Sequence, residues 1–300
     1  AGALDQRGES SRCGLSAYTA PMSSLVEDAR LLESFLSQHH SVVVLTGAGI
    51  SANSGIPTYR DASGQWRAST PVKHQEFLTD PARRRRYWAR SLAGWPVVRD
   101  ARPNAAHFAL ARLEQAQRID LVITQNVDRL HQRAGSRNVV DLHGRLDRVR
   151  CLDCGTLRSR ESVQRFLDGR GHGVIGRSRN PLPDGDASVP AVQIDRIRVP
   201  DCTHCGGTLM PDVVFFGGTV PPETVARCKD AVLRSDALLA IGTSLQVYSG
   251  FRFCRLAAEL NKPLAIINPG HTRADALARL KLSSDCSPLL NHVAVRMGSF

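Results

Sequence analysis

The sequence predicts an α/β protein in which a doubly wound parallel sheet carries a smaller inserted domain. Three observations lead to this prediction. An apolar run at residues 41–45 enters a glycine-rich turn, four later apolar runs end in small or polar residues, and two Cys-x-x-Cys pairs interrupt the pattern. Short, continuous apolar runs of this kind are typical of strands buried in a parallel sheet.

The first apolar run and its turn form a Rossmann-like signature. A strand that leads into a glycine turn can bring backbone N–H groups close to a pyrophosphate. Gly47 would permit the tight turn, Gly49 the close approach, and Ala52 the packing of helix against strand. Many glycine turns bind nothing, so this pattern alone leaves a structural role open.

The residues after the turn differ from those of a dehydrogenase. A dehydrogenase of this type carries an acidic residue about 20 positions further on, which holds the adenosine ribose. Here residues 65–71 read Gln-Trp-Arg-Ala-Ser-Thr-Pro and contain no acid. Hydride transfer is therefore disfavoured, and chemistry on the dinucleotide itself is favoured.

The composition is that of an ordinary globular protein. The 300 residues are 42% hydrophobic and 22% charged, and no stretch approaches the roughly 18 uninterrupted apolar residues of a membrane span. The net charge of +11 would suit a polyanion, but the arginines are dispersed and form a run only at Arg83–Arg86. We interpret that run as a solvated helix face, and we expect neither a membrane nor a nucleic acid as partner.

The cysteines and the N-terminal segment favour a reducing compartment. Eight cysteines, four of them in the two pairs, do not resemble the disulfide framework of a small secreted protein. Residues 1–21 lack the apolar core of a secretory signal, and we expect residues 1–22 to form a flexible arm. The bacterial cytoplasm is the expected location, with the mitochondrial matrix as the alternative.

An amphipathic helix is predicted to open the folded part, because Ser24–Glu27 reads as a capping box. Its buried stripe would consist of Leu25, Ala29, Leu32, Phe35 and Leu36. After the first strand, further buried strands are predicted at Leu121–Ile123, Val139–Leu142, Ala237–Ile241 and Leu264–Ile267. Helical pieces between residues 71 and 113 would cover the first turn as a lid.

The predicted strand ends carry residues suited to a binding site. In open α/β sheets, ligands lie beyond the carboxyl ends of the strands. The segments that follow the four later strands are Gln125–Asp128, His143–Gly144, Gly242–Ser244 and Asn268–Gly270. The expected Rossmann-like domain comprises residues 23–146 and 210–300, with a helical module at about 61–113, and residues 147–209 form the small domain.

The small domain is expected to bind one structural zinc ion. Its two pairs are Cys151 with Cys154 and Cys202 with Cys205. Four thiolates close a tetrahedral shell and leave no position for an activated water, so the metal would be structural. The pairs are further apart than in an ordinary zinc ribbon, which implies an unusually long loop between them.

Together these motifs resemble the sirtuin family of NAD-dependent protein lysine deacylases. The matching segments occur in the family's order, and besides the cysteine pairs they are Gly47–Arg60, Thr124–His131, Leu142–Gly144, Pro211–Gly217, Gly242–Val247 and Ile266–Asn268. The segments around Asp141–Gly155, Pro183–Asp186 and Ser244–Phe253 are similar to the class II branch. That resemblance implies lipoamidase activity and removal of bulky acyl groups, with weak deacetylation.

The resemblance also implies roles for individual residues. His143 would be the general base, with Asn126 and Asp128 as catalytic partners that hold the nicotinamide ribose. The residues expected to contact NAD are Gly47, Ala48, Gly49, Ser51, Ile56, Pro57, Tyr59, Arg60, Arg67, Gln125, Asn126, Val127, Asp128, Gly242, Thr243, Ser244, Asn268, Pro269, Gly270 and Cys286. Backbone amides of Gly47, Ala48 and Gly49 would face the pyrophosphate.

The acyl-lysine side of the site is implied by resemblance as well. Val213, Phe215, Phe216 and Gly217 would line an acyl tunnel and pair with the substrate as an added strand. Tyr87 and Arg90 stand three residues apart, so on a helix they could clamp an acidic acyl group, or serve only as packing and a surface charge.

The expected reaction removes an acyl group from a protein or peptide lysine and consumes NAD. Mono-ADP-ribosyl transfer to protein is the alternative, because it requires the same cleavage of NAD. A non-catalytic NAD- and zinc-binding module is a further alternative. We expect the protein to be a monomer.

Overall fold

The structure, a computed structural model, describes residues 22–59, 71–169, 175 and 184–298. Its strands are β1 (Val42–Thr46), β2 (Ile119–Thr124), β3 (Val139–Asp141), β4 (Gly144–Cys151), β5 (Leu157–Ser159), β6 (Leu209–Val213), β7 (Ala237–Ile241), β8 (Leu264–Ile267) and β9 (Leu280–Leu282). Its α-helices are α1 (Met22–Gln38), α2 (His74–Thr79), α3 (Pro81–Asp100), α4 (Ala105–Gln115), α5 (Leu130–Arg133), α6 (Arg160–Gly169), α7 (Ala191–Ile194), α8 (Pro222–Arg234), α9 (Tyr248–Glu259) and α10 (Cys286–Met297). Short 3₁₀ helices lie at Ala48–Ser54 and Asp275–Leu277. Within these ranges, no helix combines the length and apolar character that a bilayer crossing requires.

The predicted doubly wound parallel sheet is confirmed, with strand order β3-β2-β1-β7-β8-β9. The central strand β1 pairs in parallel with β2 on one side and with β7 on the other. The chain therefore builds outward to β3 and then returns across β1 to continue with β7. A crevice at such a reversal, beyond the carboxyl ends of the strands, is where open α/β sheets bind ligands.

Both faces of the sheet are buried, which explains why its strands read as continuous apolar runs. Val42 and Val44 of β1 pack into a core shared with α1, α4 and α10, whereas Val43 and Leu45 pack into a core shared with α8 and α9. β7 and β8 have the predicted bounds, and β2 and β3 differ from them by one or two residues. The short edge strand β9 has no counterpart among the predicted strands.

Helix α1 begins earlier than its predicted cap. The helix already starts at Met22, two residues before the predicted cap, so Ser24 lies within its first turn. The predicted stripe is confirmed: Ala29, Leu32, Phe35 and Leu36 are buried, and Leu25 packs partly buried against the same core.

The small domain contains a three-stranded antiparallel sheet in the order β5-β4-β6. Its core is shared with the predicted lid, because Trp88 and Leu92 of α3 pack against Val149 of β4 and Leu167 of α6. By contrast, Leu110 of α4 belongs to the core of the main sheet. The helices expected to form one lid therefore divide between the two domains.

The glycine turn after β1 touches the backbone that follows β7. The Gly49 amide donates to the Gly242 carbonyl at 2.8 Å. A Cβ on Gly49 would lie 2.8 Å from the Gly242 Cα, and a Cβ on Gly242 would lie 2.5 Å from the Ile50 nitrogen. Gly242 also has a φ of +59°, a conformation that favours glycine. Only a glycine pair allows these two strand ends to approach so closely.

We expect Gly49→Ala to lower the free energy of unfolding by about 1–3 kcal/mol, because the added methyl group overlaps Gly242. NAD binding should weaken as well, since the turn cannot close against β7. Denaturant unfolding and NAD titration measure both effects. Gly169→Ala is the matched control, because a Cβ on Gly169 meets no atom of the described residues within 4 Å. Equal stabilities of the two variants would contradict the close-contact explanation.

Candidate active site

Gln125, at the carboxyl end of β2, connects the ends of three strands. Its backbone amide donates to the Thr46 carbonyl of β1 at 2.9 Å, and its side-chain amide donates to Thr243 Oγ1 beyond β7 at 2.9 Å. Its own carbonyl oxygen lies 3.0 Å from Nδ1 of His143, which follows β3. The predicted site segments beyond β1, β2, β3 and β7 are thus brought together at the crevice.

His143 lies between β3 and β4 and is held at both ring nitrogens. Because a carbonyl oxygen can only accept, Nδ1 carries the proton that is donated to Gln125, and Nε2 of the neutral ring is an acceptor. The Ser249 hydroxyl lies 2.7 Å from Nε2. The pKa of His143 is lowered to about 4, mainly because burial removes the ring from water; the bond to Gln125 opposes the shift, and the positive charge of Arg252 adds to it. At neutral pH the ring is an unprotonated base.

A buried polar network lies beside this histidine. Asn126 donates to the Gly47 carbonyl and to Ser51 Oγ, both at 3.0 Å. The Ser51 hydroxyl donates in turn to Asp128 at 2.7 Å, and the Leu130 amide donates to the same carboxylate at 2.9 Å. Burial raises the pKa of Asp128, and these hydrogen bonds partly offset the effect. The network fixes both predicted catalytic partners against the glycine turn.

The backbone amides of Gly47 and Gly49, which were expected to face a pyrophosphate, donate hydrogen bonds to the protein backbone instead. The Gly47 amide donates to the Ile241 carbonyl at 3.1 Å, and the Gly49 amide donates to Gly242. That expected role is therefore wrong for Gly47 and Gly49, because both amides join the turn to β7. The contribution of the two glycines is that they let the turn after β1 lie directly against Gly242 and Thr243.

The far end of the crevice carries the residues expected at the adenosine half. Asn268 follows β8 and donates to the Gly270 carbonyl at 2.8 Å. Cys286 begins α10, and burial raises the pKa of its thiol to about 12. The neighbouring Asp285 accepts from Asn53 of the first 3₁₀ helix at 3.2 Å, which brings α10 to the glycine turn. The other expected residues here are Ser244, Pro269 and Gly270; Arg60 and Arg67 lie outside the described residues.

An aromatic cluster marks the expected acyl end. The ring centroids of Phe77 and Phe215 are 5.0 Å apart, and those of Tyr87 and Phe215 are 5.3 Å apart. Phe216 is half-buried and meets Tyr59 edge to face at 6.0 Å. Val213 ends β6, and Gly217 is exposed. Ile56 and Val127 pack together in a separate apolar cluster, and Pro57 is half-buried beside them in sequence.

Arg90 is not the surface charge allowed for in the sequence interpretation. It is 4% exposed, and its Nε lies 2.6 Å from an Asp186 oxygen and 2.8 Å from the Ala187 carbonyl. Burial and the nearby Asp184 raise the pKa of Asp186, and the charge of Arg90 opposes that shift. The guanidinium is thus engaged by a loop of the small domain.

The four paired cysteines form one cluster. Their sulfur atoms all lie within 4.8 Å of one another, with 3.5 Å between Cys151 and Cys205 and 3.8 Å between Cys154 and Cys202. A tetrahedral zinc with bonds of about 2.3 Å places its sulfurs roughly 3.8 Å apart. Each pair is followed by a glycine at positive φ, Gly155 and Gly206, which closes two equivalent turns. The geometry fits a four-thiolate zinc ion.

Ser249 and Arg252, both on α9, are site residues that sequence reasoning missed. Helix α9 approaches the site because Gly250 has no side chain, and a Cβ there would lie 2.6 Å from Gln125 Oε1. This places the Ser249 hydroxyl at His143. Ser249 and His143 are 106 residues apart in the sequence, so only the fold reveals the contact.

A sequence profile of the Sir2 family matches residues 47–249, which is more than half of the chain. The chain belongs to the Sir2 family. Among curated relatives, the NAD-dependent protein deacetylase 2 of Bradyrhizobium diazoefficiens is 49% identical over 86% of this chain and 95% of that protein. The NAD-dependent protein deacylase Sirt4 of Drosophila melanogaster is 45% identical over 88% of this chain and 86% of that protein.

Solved sirtuin structures share the fold of this sirtuin. A Sir2 homolog–NAD complex is 30% identical with a TM-score of 0.69, covering 89% of this chain and 93% of that chain. A complex titled Sir2-p53 peptide-NAD+ is 28% identical with a TM-score of 0.72, covering 90% of this chain and 98% of that chain. The chain is a sirtuin-type, NAD-dependent enzyme, and its cysteine cluster is consistent with a structural zinc ion.

We expect Cys154→Ala to lose bound zinc, because three thiolates cannot complete the shell. The loss should also destabilise the small domain, since the ion joins its two cysteine turns. Elemental analysis gives zinc per chain, and thermal unfolding gives the stability. Cys228→Ala is the matched control, a buried thiol outside the cluster. Full zinc content in Cys154→Ala would contradict the assignment.

Proposed function

We propose that this sirtuin removes acyl groups from lysine side chains with His143 as general base. The observation that carries the proposal is a neutral imidazole at the crevice, with Nδ1 occupied by Gln125 and Nε2 left as the basic atom. The family supplies the reaction class: the bond between nicotinamide and ribose breaks, and the acyl group passes to the ribose. A base that accepts a ribose hydroxyl proton fits this chemistry and contributes roughly 10²–10⁴-fold.

Asn126 and Asp128 are proposed to hold the nicotinamide end of NAD. Both side chains are fixed by Ser51, so their positions are set before NAD binds. Such preorganisation places the ribose in reach of the base and avoids reorganisation during the reaction. The residues beyond β7 and β8 are proposed to bind the adenosine half.

The acylated peptide is proposed to bind beside β6. This strand lies at the edge of the small sheet, and an edge strand can pair with an extended peptide. Its C-terminal continuation contains Phe215 and Phe216, so a peptide there would lie next to the aromatic cluster. The acyl group of the substrate would then enter among those rings.

We propose that bulky, uncharged acyl groups of the lipoyl type are preferred, as in the class II branch. The cluster of Phe77, Met210 and Phe215 with Val72 is apolar and suits such a chain. The charge of Arg90 is already largely compensated by Asp186, whose carboxylate oxygen lies 2.6 Å from Arg90 Nε, so an acidic acyl group would gain little from it. Separating a buried pair leaves an uncompensated charge, which is costly.

Replacing the proposed base tests the mechanism. We expect His143→Ala to lower kcat by about 10²–10⁴-fold because the ribose proton has no acceptor. His292→Ala, a change of a histidine on α10 that has no assigned role in catalysis or NAD binding, should retain the parent rate. Mass spectrometry of nicotinamide, acyl-ADP-ribose and free lysine peptide measures the reaction. A His143→Ala protein as fast as the parent would refute the role of the imidazole, and label left on protein without deacylation would indicate ADP-ribosyl transfer.

A panel of acetyl-, lipoyl- and glutaryl-lysine peptides tests the acyl preference. We expect the parent to favour lipoyl over glutaryl peptides. Asp186→Asn should raise kcat/KM for glutaryl peptides by about tenfold, or about 1.4 kcal/mol, because the Arg90 charge becomes available to the substrate.

The matched control is Arg90→Ala, which removes the cation itself. If the parent removes glutaryl groups well and Arg90→Ala abolishes that activity, Arg90 already binds acidic acyl groups and the proposed preference is wrong. If Arg90→Ala leaves glutaryl activity unchanged, the acidic-acyl role of this residue in the parent is rejected.

A further inference from the structure

Ser249 makes the most specific contact with the proposed base. Its hydroxyl oxygen lies 2.7 Å from His143 Nε2, within the range of a strong hydrogen bond. Nε2 of the neutral ring has a lone pair and no proton, because the proton is on Nδ1 and is donated to Gln125. The Ser249 hydroxyl is therefore the donor. It occupies the direction from which a proton would reach the base.

The packing of α9 fixes this hydroxyl in place. Ser249 is in the first turn of α9, and the next residue, Gly250, packs directly on the Gln125 side chain. Gln125 is also the residue whose carbonyl holds the other side of the imidazole. Ser249, which donates to the ring, and Gln125, whose carbonyl accepts from it, are thus held next to each other by the packing of Gly250 on Gln125.

A hydroxyl on Nε2 has two chemical consequences. It donates to Nε2 of the neutral ring, and by rotating it can also accept from Nε2–H of the imidazolium, so it holds the ring in place in either state. It also resembles the ribose hydroxyl that the base must meet during the reaction, because both groups are O–H donors. Nε2 has a single lone pair and cannot accept a hydrogen bond from both hydroxyls, so the ribose hydroxyl must displace Ser249.

We propose that Ser249 is a positioning residue that occupies Nε2 of His143 until the ribose hydroxyl of bound NAD replaces it. This inference rests on the proposed function of His143 as the base. In the NAD-free enzyme the serine keeps the ring oriented. In the NAD complex the serine no longer touches Nε2 and has no effect on its basicity.

The proposal predicts a difference between two pH profiles. The acid limb of kcat/KM for NAD reports the pKa of the base before NAD binds, and the acid limb of kcat reports it in the complex. The Ser249 hydroxyl contacts Nε2 only before NAD binds, so its loss changes the surroundings of the base in the free enzyme and not in the NAD complex. Activity is lost on the acid limb because the protonated ring cannot accept a proton.

Ser249→Ala should therefore shift the acid limb of kcat/KM by about half to one pH unit. The acid limb of kcat should not move. Among the charged groups of the described chain, Arg252 on the same helix is the one that acts on the ring, and its charge is unchanged in this variant. Peptide is kept saturating, so that kcat/KM refers to NAD alone.

Ser249→Thr and Ser249→Val form the matched pair, because they have nearly the same shape and differ in the hydroxyl. The threonine variant should reproduce the parent profile and the valine variant should reproduce the alanine shift. This pair also covers the case in which Ser249→Ala folds poorly, which thermal unfolding detects.

Three results overturn the inference. These are an unshifted kcat/KM profile in the variants without the hydroxyl, an equal shift in both profiles, and a shift shared by the threonine and valine variants. None of them affects the proposed function, which fails separately if His143→Ala keeps the parent rate.

Discussion

The site depends on Gln125, a single residue where the ends of three parallel strands meet. Its amide is tied to β1, its side chain to the residue beyond Gly242, and its carbonyl to the imidazole after β3. The strands can converge this closely because Gly49 and Gly242 let their backbones touch. A side chain on either glycine would separate β1 from β7 and pull Thr243 away from Gln125. The geometry of the base is therefore set by the close packing of the sheet.

A carbonyl acceptor behind the imidazole has a definite chemical effect. A carboxylate in that position would stabilise the imidazolium and raise its pKa, whereas a neutral carbonyl orients the ring with much less effect on its charge. Here desolvation dominates and lowers the pKa of His143 to about 4. The protein thus keeps a weak base that is ready to accept a proton at neutral pH. Proton transfer to such a weakly basic ring depends more on the precise orientation of Nε2 than on its basicity.

Local sequence was sufficient for the sheet and most of the crevice, but not for contacts between distant elements. The apolar runs predicted β7 and β8 correctly because burial on both faces leaves a clear composition signal. The polar residues that follow these strands indicated the crevice, because open α/β sheets bind ligands beyond the carboxyl ends of their strands. The serine at His143 Nε2 and the pairing of Arg90 with Asp186 join segments 106 and 96 residues apart, so no local pattern could reveal them. The amides of Gly47 and Gly49 were misassigned because sequence shows a glycine turn but not its hydrogen-bond partners.

The protonation state of His143 tests the central claim most directly. Nitrogen-15 NMR of the labelled imidazole at pH 7, assigned by comparison with a variant that lacks this histidine, distinguishes the neutral tautomers from the imidazolium. The account predicts a neutral ring with its proton on Nδ1 and an unprotonated Nε2. An imidazolium at pH 7, or a neutral ring with the proton on Nε2, would show that the Gln125 carbonyl does not hold the base as described.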